Sequence, residues 1–107
     1  MVIERFEVWL VSLDPTQGSE IAKTRPCVVV SPDVVNKMLN TVMVAPLTST
    51  QKAYPTRVNC QFSDQNGQVA LDQTRAIDKS RLIKRVGKLD ELTNYQICQT
   101  LVALFTF

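Results

Sequence analysis

An arginine at the end of a polar loop is the first residue of this sequence with a clear chemical use. Residues 18–24 form a polar, charged loop, Arg25 follows, and Pro26 leads into the apolar residues 27–30. Pro26 fixes its own φ and favours an extended backbone at Arg25, so the guanidinium starts from a fixed strand end. A planar guanidinium placed in this way can hold two oxygens of a phosphate group. A solvated hairpin loop whose charges only maintain solubility explains the same stretch about equally well.

The composition limits the catalytic chemistry that is open to this chain. Its 107 residues include no histidine, which excludes Ser–His and Cys–His pairs, histidine-ligated metals and ribonuclease chemistry with two histidines. Catalysis would have to use Arg, Lys, carboxylates, hydroxyls or a thiol. The three cysteines, Cys27, Cys60 and Cys98, lack the spacing of a zinc site, and we expect them to be buried and reduced. The net charge of +2 is small, so phosphate-binding groups must be gathered locally.

Length and hydropathy predict one domain over residues 1–107. With 45% hydrophobic residues, the chain can bury a core of ordinary size. No apolar run approaches the roughly 20 residues of a membrane span, and the first residues lack the order of a signal peptide. We therefore expect a cytoplasmic protein without a membrane partner.

The apolar pattern predicts a mainly β chain. Strands are expected over residues 6–13, 25–31, 41–46, 57–62, 68–71, 74–77 and 82–89, with turns at 14–18 and 63–67. Ser31 as N-cap, with Pro32 at the first helical position, predicts a short helix to about residue 39. Asp90 as N-cap predicts a final helix. This order predicts a small, strongly bent antiparallel sheet or partly open barrel with a helix packed against it.

The final helix carries an apolar stripe at helical spacing. A stripe of this kind is more typical of a core or a dimer interface than of a cofactor site. Its members are Leu92, Tyr95, Cys98, Leu101, Val102 and Phe105.

Segments along nearly the whole chain resemble the MazF/PemK family of toxin endoribonucleases. They are residues 8–16, 18–20 with Arg25-Pro26, 44–48 and 71–78, continued by 79–82 and 86–89. The resemblance implies an SH3-like barrel of the CcdB/MazF/PemK type that forms a homodimer. It also implies cleavage of single-stranded RNA or mRNA at short sequences, with no metal or cofactor and with a cognate antitoxin as partner. The products would be a 2′,3′-cyclic phosphate and a free 5′-OH.

The resemblance also assigns residue roles. It places the catalytic arginine on Arg25 and the catalytic hydroxyl on Thr48. Without it, Thr48 reads more simply as a strand-end hydroxyl that caps a turn. The PemK branch uses a histidine where this chain has Ser19 and an arginine where it has Ala70. The acid–base assignment of that branch therefore does not transfer whole.

Two carboxylates are candidates for catalytic support. Glu20 could be a general base, an ion-pair partner of Arg25 or a solvated acid. Asp72 could orient Arg25 or read a base edge with Gln73, although a hydrogen bond to a neighbouring loop is the simpler role. Trp9 lies mid-strand and is expected in the core, whereas Tyr54 could stack on a base. The predicted RNA-binding residues are Ser19, Glu20, Lys23, Ser49, Lys52, Tyr54, Arg57 and Gln73.

Two other functions remain open at this point. A toxin of the same fold could bind a protein target such as DNA gyrase, as CcdB does through a C-terminal Trp-Gly-Ile. This sequence ends in Phe105-Thr106-Phe107 instead, which favours the nuclease. A barrel that binds RNA without cutting it is the third possibility.

Overall fold

The computed structural model describes residues 1–107 as seven strands and two α-helices, in the order β1, β2, α1, β3 to β7, α2. The helices are α1 (Asp33–Met38) and α2 (Glu91–Phe105), and short 3₁₀ helices occupy Leu71–Gln73 and Lys79–Arg81. The strands are β1 (Glu7–Ser12), β2 (Thr24–Val29), β3 (Thr41–Thr48), β4 (Arg57–Phe62), β5 (Gln65–Ala70), β6 (Arg75–Asp78) and β7 (Leu82–Lys88).

All strand pairs are antiparallel, and the sheet runs in the order β4-β5-β3-β2-β1-β7. Strand β3 bends within this sheet, since its first half pairs with β6 and its last two residues pair with β5. The two end strands meet, because a Cβ built on Gly87 of β7 would lie 2.9 Å from the Phe62 ring of β4. The predicted mainly β fold, a bent sheet with a small inserted helix and a C-terminal helix, is confirmed.

The centre of the sheet is buried on both faces. Successive residues of β1 belong to different core clusters: Val8 packs in one, while Trp9 and Val11 pack in the other. Ile97 of α2 is fully buried and covers the cluster that contains Val8. Trp9 is thus a core residue, as predicted, and its indole N–H donates to Glu7 Oε1 at 3.1 Å.

Two local predictions are wrong. The N-cap of α1 is Pro32 and has no side-chain capping bond; Ser31 is buried and instead bonds Asn36 and the Met43 backbone N–H. The turn between β4 and β5 is also shorter than residues 63–67. Only Ser63 and Asp64 form it, both with positive φ, and residues 65–67 already pair with β4. A two-residue turn is enough because left-handed backbone at both positions matches the twist of the strands.

Helix α2 begins as predicted, but its apolar stripe does not face the core. The Asp90 carboxylate accepts from the Thr93 N–H at 3.1 Å, which confirms the N-cap. Thr93 and Ile97 are its buried residues, and Leu101 packs against the core at the edge. Four large apolar side chains of the predicted stripe are more than half exposed, namely Leu92, Tyr95, Val102 and Phe105. Neither helix has the length and apolar character needed to cross a bilayer.

Candidate active site

Strand register brings the two predicted catalytic side chains together. Strands β2 and β3 pair as Cys27 with Pro46 and Val28 with Ala45. The same antiparallel register, continued two residues past Cys27, sets Arg25 across from Thr48. Side chains directly opposite one another lie on one face of a sheet and are close neighbours. Residues 23 positions apart in sequence thus share one end of the sheet.

The Arg25 guanidinium is anchored on one side and free on the other. Its Nε donates to the Ala22 carbonyl at 3.1 Å, and the side chain is half-buried. Both terminal nitrogens have no acceptor within the protein. No carboxylate pairs with Arg25, since the only ion pairs are Arg57–Asp72 and Arg85–Glu7. This arrangement leaves a fixed cationic edge for an anion.

The Thr48 hydroxyl is fixed as an acceptor and free as a donor. Its Oγ1 accepts the Thr50 N–H at 3.1 Å, which caps the turn after β3, and the residue is buried. A hydroxyl has one proton and two acceptor positions, so this bond leaves the proton available. The turn-capping role and a donor role toward a ligand are therefore compatible at Thr48.

Arg25 and Thr48 lie between two cavities. The larger, which we call the site cavity, has a volume of about 360 Å³, and the smaller, the side cavity, about 190 Å³ and includes Ser49. Three cations and one carboxylate line the site cavity, so its charge suits an anion. The predicted residues that line it are Ser19, Glu20, Arg25, Thr48, Lys52, Arg57 and Gln73.

Two glutamine side chains hold the loops around the site cavity. The Gln73 amide accepts from the Ile21 N–H at 2.7 Å and donates to the Ser19 carbonyl at 3.1 Å. The Gln68 amide bonds the backbone N–H and carbonyl of Lys52, each at 3.0 Å. These bonds fix residues 19–21 and residue 52, so the loops present their side chains in defined places.

The nearby thiols are protonated rather than reactive. Burial raises the pKa of Cys27 to about 12, although Arg75 and Arg25 act in the opposite direction. Burial and, to a smaller extent, the charge of Asp90 raise the pKa of Cys60. All three cysteines are free, and Cys98 is half-buried. A cysteine attacks as its thiolate, so the raised pKa values argue against Cys27 and Cys60 as nucleophiles.

Comparison with known proteins identifies the family. The model of the PemK-like, MazF-like toxins of type II toxin–antitoxin systems matches residues 4–105. The chain belongs to this toxin family. The resemblance read from the sequence motifs is confirmed.

Similar proteins are named as endoribonucleases, which agrees with the enzyme class expected from the sequence. The endoribonuclease PemK of Escherichia coli is 36% identical over 97% of this chain and 83% of its own length. The endoribonuclease EndoA of Bacillus subtilis (strain 168) is 34% identical over 85% of this chain and 84% of its own length.

Solved structures share the fold. MazF from Deinococcus radiodurans superposes with a TM-score of 0.86 at 24% identity, covering 100% of this chain and 99% of that one. An endoribonuclease in complex with its cognate antitoxin, from a mycobacterial species, gives a TM-score of 0.80 at 24% identity, covering 94% and 92% of the two chains.

Not every predicted site residue of this toxin lies on the site cavity. The Glu20 carboxylate lies there but accepts the Gln17 N–H at 2.6 Å, and it makes no ion pair with Arg25. Lys23 has φ 70° and its backbone N–H bonds Asp14, while its side chain lies outside both cavities. Tyr54 is half exposed beside Arg57, with the guanidinium 5.3 Å from the ring centre.

The Asp72 carboxylate binds Arg57 and not Arg25. It accepts from Arg57 Nε at 2.8 Å, from Nη2 at 3.3 Å and from Thr56 Oγ1 at 3.0 Å. Burial raises the pKa of Asp72, but the hydrogen bonds from Arg57 and Thr56 outweigh it and the net change is downward. Arg57 stands directly across from Ala70 on the neighbouring strand. This chain therefore carries a guanidinium beside the position where the motif resemblance expected an arginine.

Sequence reasoning missed Gln68. The side chain is 5% exposed and joins β5 to the loop of Lys52. A signal was present, because Gln68 precedes Val69, Ala70 and Leu71 in a run that is otherwise apolar. A buried polar side chain needs hydrogen-bond partners, and these are found on nearby backbone.

Proposed function

We propose that this toxin is a sequence-selective endoribonuclease that cleaves single-stranded RNA without a metal ion, by attack of a ribose 2′-OH on the adjacent phosphate. The observation that carries the proposal is the convergence of Arg25 and Thr48, each with free donors, on a cavity with excess positive charge. The family assignment and the names of the relatives support the same activity.

The attack forms the bond from O2′ to phosphorus and breaks the bond from phosphorus to O5′. The products are a 2′,3′-cyclic phosphate and a 5′-OH, so one proton leaves the 2′ oxygen and one reaches the 5′ oxygen. Glu20 is the carboxylate on the site cavity and the candidate acceptor of the first proton.

Arg25 takes the role of neutralising charge on the phosphoryl oxygens. Because Nε is held by Ala22, the two terminal nitrogens form a preorganised edge for two oxygens. Donors that are fixed before the reaction stabilise developing charge without reorganisation, and loss of one typically costs about 10²–10³ in rate.

Thr48 donates a hydrogen bond to a phosphoryl or leaving oxygen. Its own activation as a nucleophile would need a neighbouring base, and its only hydrogen bond is to the Thr50 N–H, which is a donor. The ribose hydroxyl is the better nucleophile, since it is already adjacent to the scissile phosphate.

One experiment tests this reaction. Purified protein is incubated with total RNA in excess EDTA, and new 5′-OH ends are mapped. We expect cleavage at a short recurring sequence. This cleavage should persist in EDTA, because no three carboxylates or thiols of the chain gather as metal ligands and histidine is absent. Loss of cleavage on chelation, restored by magnesium or manganese, would contradict the metal-free mechanism.

A matched oligonucleotide pair tests the nucleophile. Deoxyribose at the single position 5′ of the cut phosphate should stop cleavage while binding survives, because the phosphate contacts remain. Equal cutting of the all-ribose and single-deoxy oligonucleotides would refute attack by the 2′-OH.

We also propose that the toxin forms a homodimer and that a cognate antitoxin covers its RNA-binding surface. The exposed apolar side chains of α2 support a protein interface, since contiguous exposed apolar groups mark interaction sites. A monomer by sedimentation at micromolar concentration would contradict the dimer. An antitoxin that binds without slowing cleavage would contradict the proposal that it covers the RNA-binding surface.

A further inference from the structure

The Arg57 guanidinium is held by a carboxylate and an aromatic ring. Its Nε and Nη2 bind the two Asp72 oxygens, and the Tyr54 ring lies against it at 5.3 Å. Thr56 donates to the same carboxylate at 3.0 Å. The Arg57 side chain is only 7% exposed. A charged group held so closely has lost its rotamer freedom before any ligand arrives.

The fixed guanidinium keeps an unused donor edge. Of its five N–H groups, one on Nε and one on Nη2 point to Asp72, and Nη1 has no acceptor within the protein. Arg57 lines the site cavity together with Arg25 and Thr48. Asp72 does not line this cavity; it lines a separate cavity that shares Ser19, Glu20 and Gln73 with the site cavity. The site cavity is thus lined by an arginine that keeps donors free after it has bound Asp72.

We propose that Arg57, held by Asp72, forms a second phosphate subsite that binds a phosphate next to the scissile one, and that Asp72 is a positioning residue for Arg57. The inference rests on the proposed RNA cleavage. It assigns Arg25 to the reacting phosphate and Arg57 to a neighbour in the same strand of RNA. Two guanidiniums on one cavity would set which phosphodiester sits beside Thr48, and thus where the chain is cut.

The first test uses the wild-type protein. A short fluorescein-labelled RNA spanning a mapped cut site carries deoxyribose at the cut, and methylphosphonate replaces one phosphate at a time. We expect a single non-scissile position at which loss of charge weakens binding by about tenfold or more. If no non-scissile position matters more than the others, the subsite does not exist.

The second test uses variants of the pair. In Arg57→Ala, the slope of log K against log salt should fall by about 0.7, the value for one phosphate contact on a single strand. The methylphosphonate penalty should disappear with it. In Arg57→Lys and Asp72→Asn the charge at residue 57 remains but the fixed edge is lost. The slope should then persist while the penalty at the single position shrinks.

Arg85→Ala is the matched control. Arg85 also forms an ion pair, with its Nε 2.8 Å from Oε2 of Glu7, but it is half exposed and lies outside the site cavity. This variant should keep the wild-type slope and penalty. Thermal melting checks that each variant is folded, and Arg57→Lys carries the test if Arg57→Ala does not fold.

Two results would overturn the proposal while leaving the proposed function of the wild-type protein intact. One is an Arg57→Ala protein with the wild-type slope and penalty. The other is an Asp72→Asn protein that keeps the wild-type penalty but loses cleavage of bound RNA, which would make Asp72 an acid–base group. If the wild-type protein cuts no RNA, the proposed function fails first. The same salt titration with a random single-stranded RNA pool then tests phosphate binding by Arg57 alone.

Discussion

Replacing Gly67 by alanine should damage the proposed active site without changing a proposed catalytic side chain. Gly67 lies in β5, beside the β3–β5 pair of Thr48 and Gln68. A Cβ built at residue 67 would lie 2.9 Å from the Thr48 carbonyl oxygen, whereas an ordinary contact starts at 3.4 Å. The obstacle is backbone, which cannot rotate away as a side chain can. The end of β3 must therefore move.

The size of the effect follows from that distance. Relief of the contact needs a shift of about 0.5 Å, the difference between 3.4 and 2.9 Å. Misplacement of a reacting group by about 1 Å can cost 10²-fold in rate, so half of that distance should cost about tenfold. Overpacking of a well-packed site costs about 1–3 kcal/mol of unfolding free energy. Each kcal/mol lowers the Tm by about 4–8 °C in a domain near this size.

Single-turnover cleavage of a mapped oligonucleotide and thermal melting would measure both effects. Gln61→Ala is the control, since Gln61 is exposed on the neighbouring strand β4 and lines neither cavity. We expect that control to cut and melt like the wild type. If Gly67→Ala also cuts and melts like the wild type, the Thr48 backbone does not pack closely against residue 67 and this reasoning is refuted.

The other predictions concern the proposed catalytic pair, Arg25 and Thr48, and Asp72. Arg25→Ala should abolish cleavage in a protein that melts normally, and Arg25→Lys should recover little because a point charge lacks the fork; near wild-type cutting by Arg25→Lys would refute bidentate binding. Thr48→Val should lower the single-turnover rate by about 10²-fold while Thr48→Ser keeps most of it, and equal rates for the two would remove the hydroxyl from the mechanism. The pKa of Asp72 is lowered in the folded state from its usual 3.8, so its ionised form stabilises the fold above pH 3.8, and this contribution is lost as pH falls through the lower folded value. Below pH 3.8, the Tm of the wild type should therefore fall more steeply with decreasing pH than the Tm of Asp72→Asn. Parallel curves of Tm against pH would contradict this contribution of Asp72.

The sequence predicted the architecture because local signals agreed with each other. Alternating and continuous apolar runs located all seven strands, and Asp90 marked the start of α2 through a side-chain bond to a residue three positions away. Signals of this kind act within a few residues, so no tertiary information is needed to interpret them. Ser31 shows the limit. Its residue type favours an N-cap position, but that prediction is wrong, because burial against Asn36 and Met43 offered its hydroxyl other partners.

The candidate site also depends partly on local signals and partly on tertiary structure. Residue type and the turn at Pro26 indicated Arg25, and the motif resemblance indicated Thr48. Only the pairing of β2 with β3 sets the two side chains across from each other. The partner of Asp72 was beyond sequence reasoning, because Arg57 lies 15 positions away and reaches the carboxylate across the β4–β5 pair. The sequence by itself determined which groups could act, whereas strand register, a property of the whole sheet, decided which of them meet.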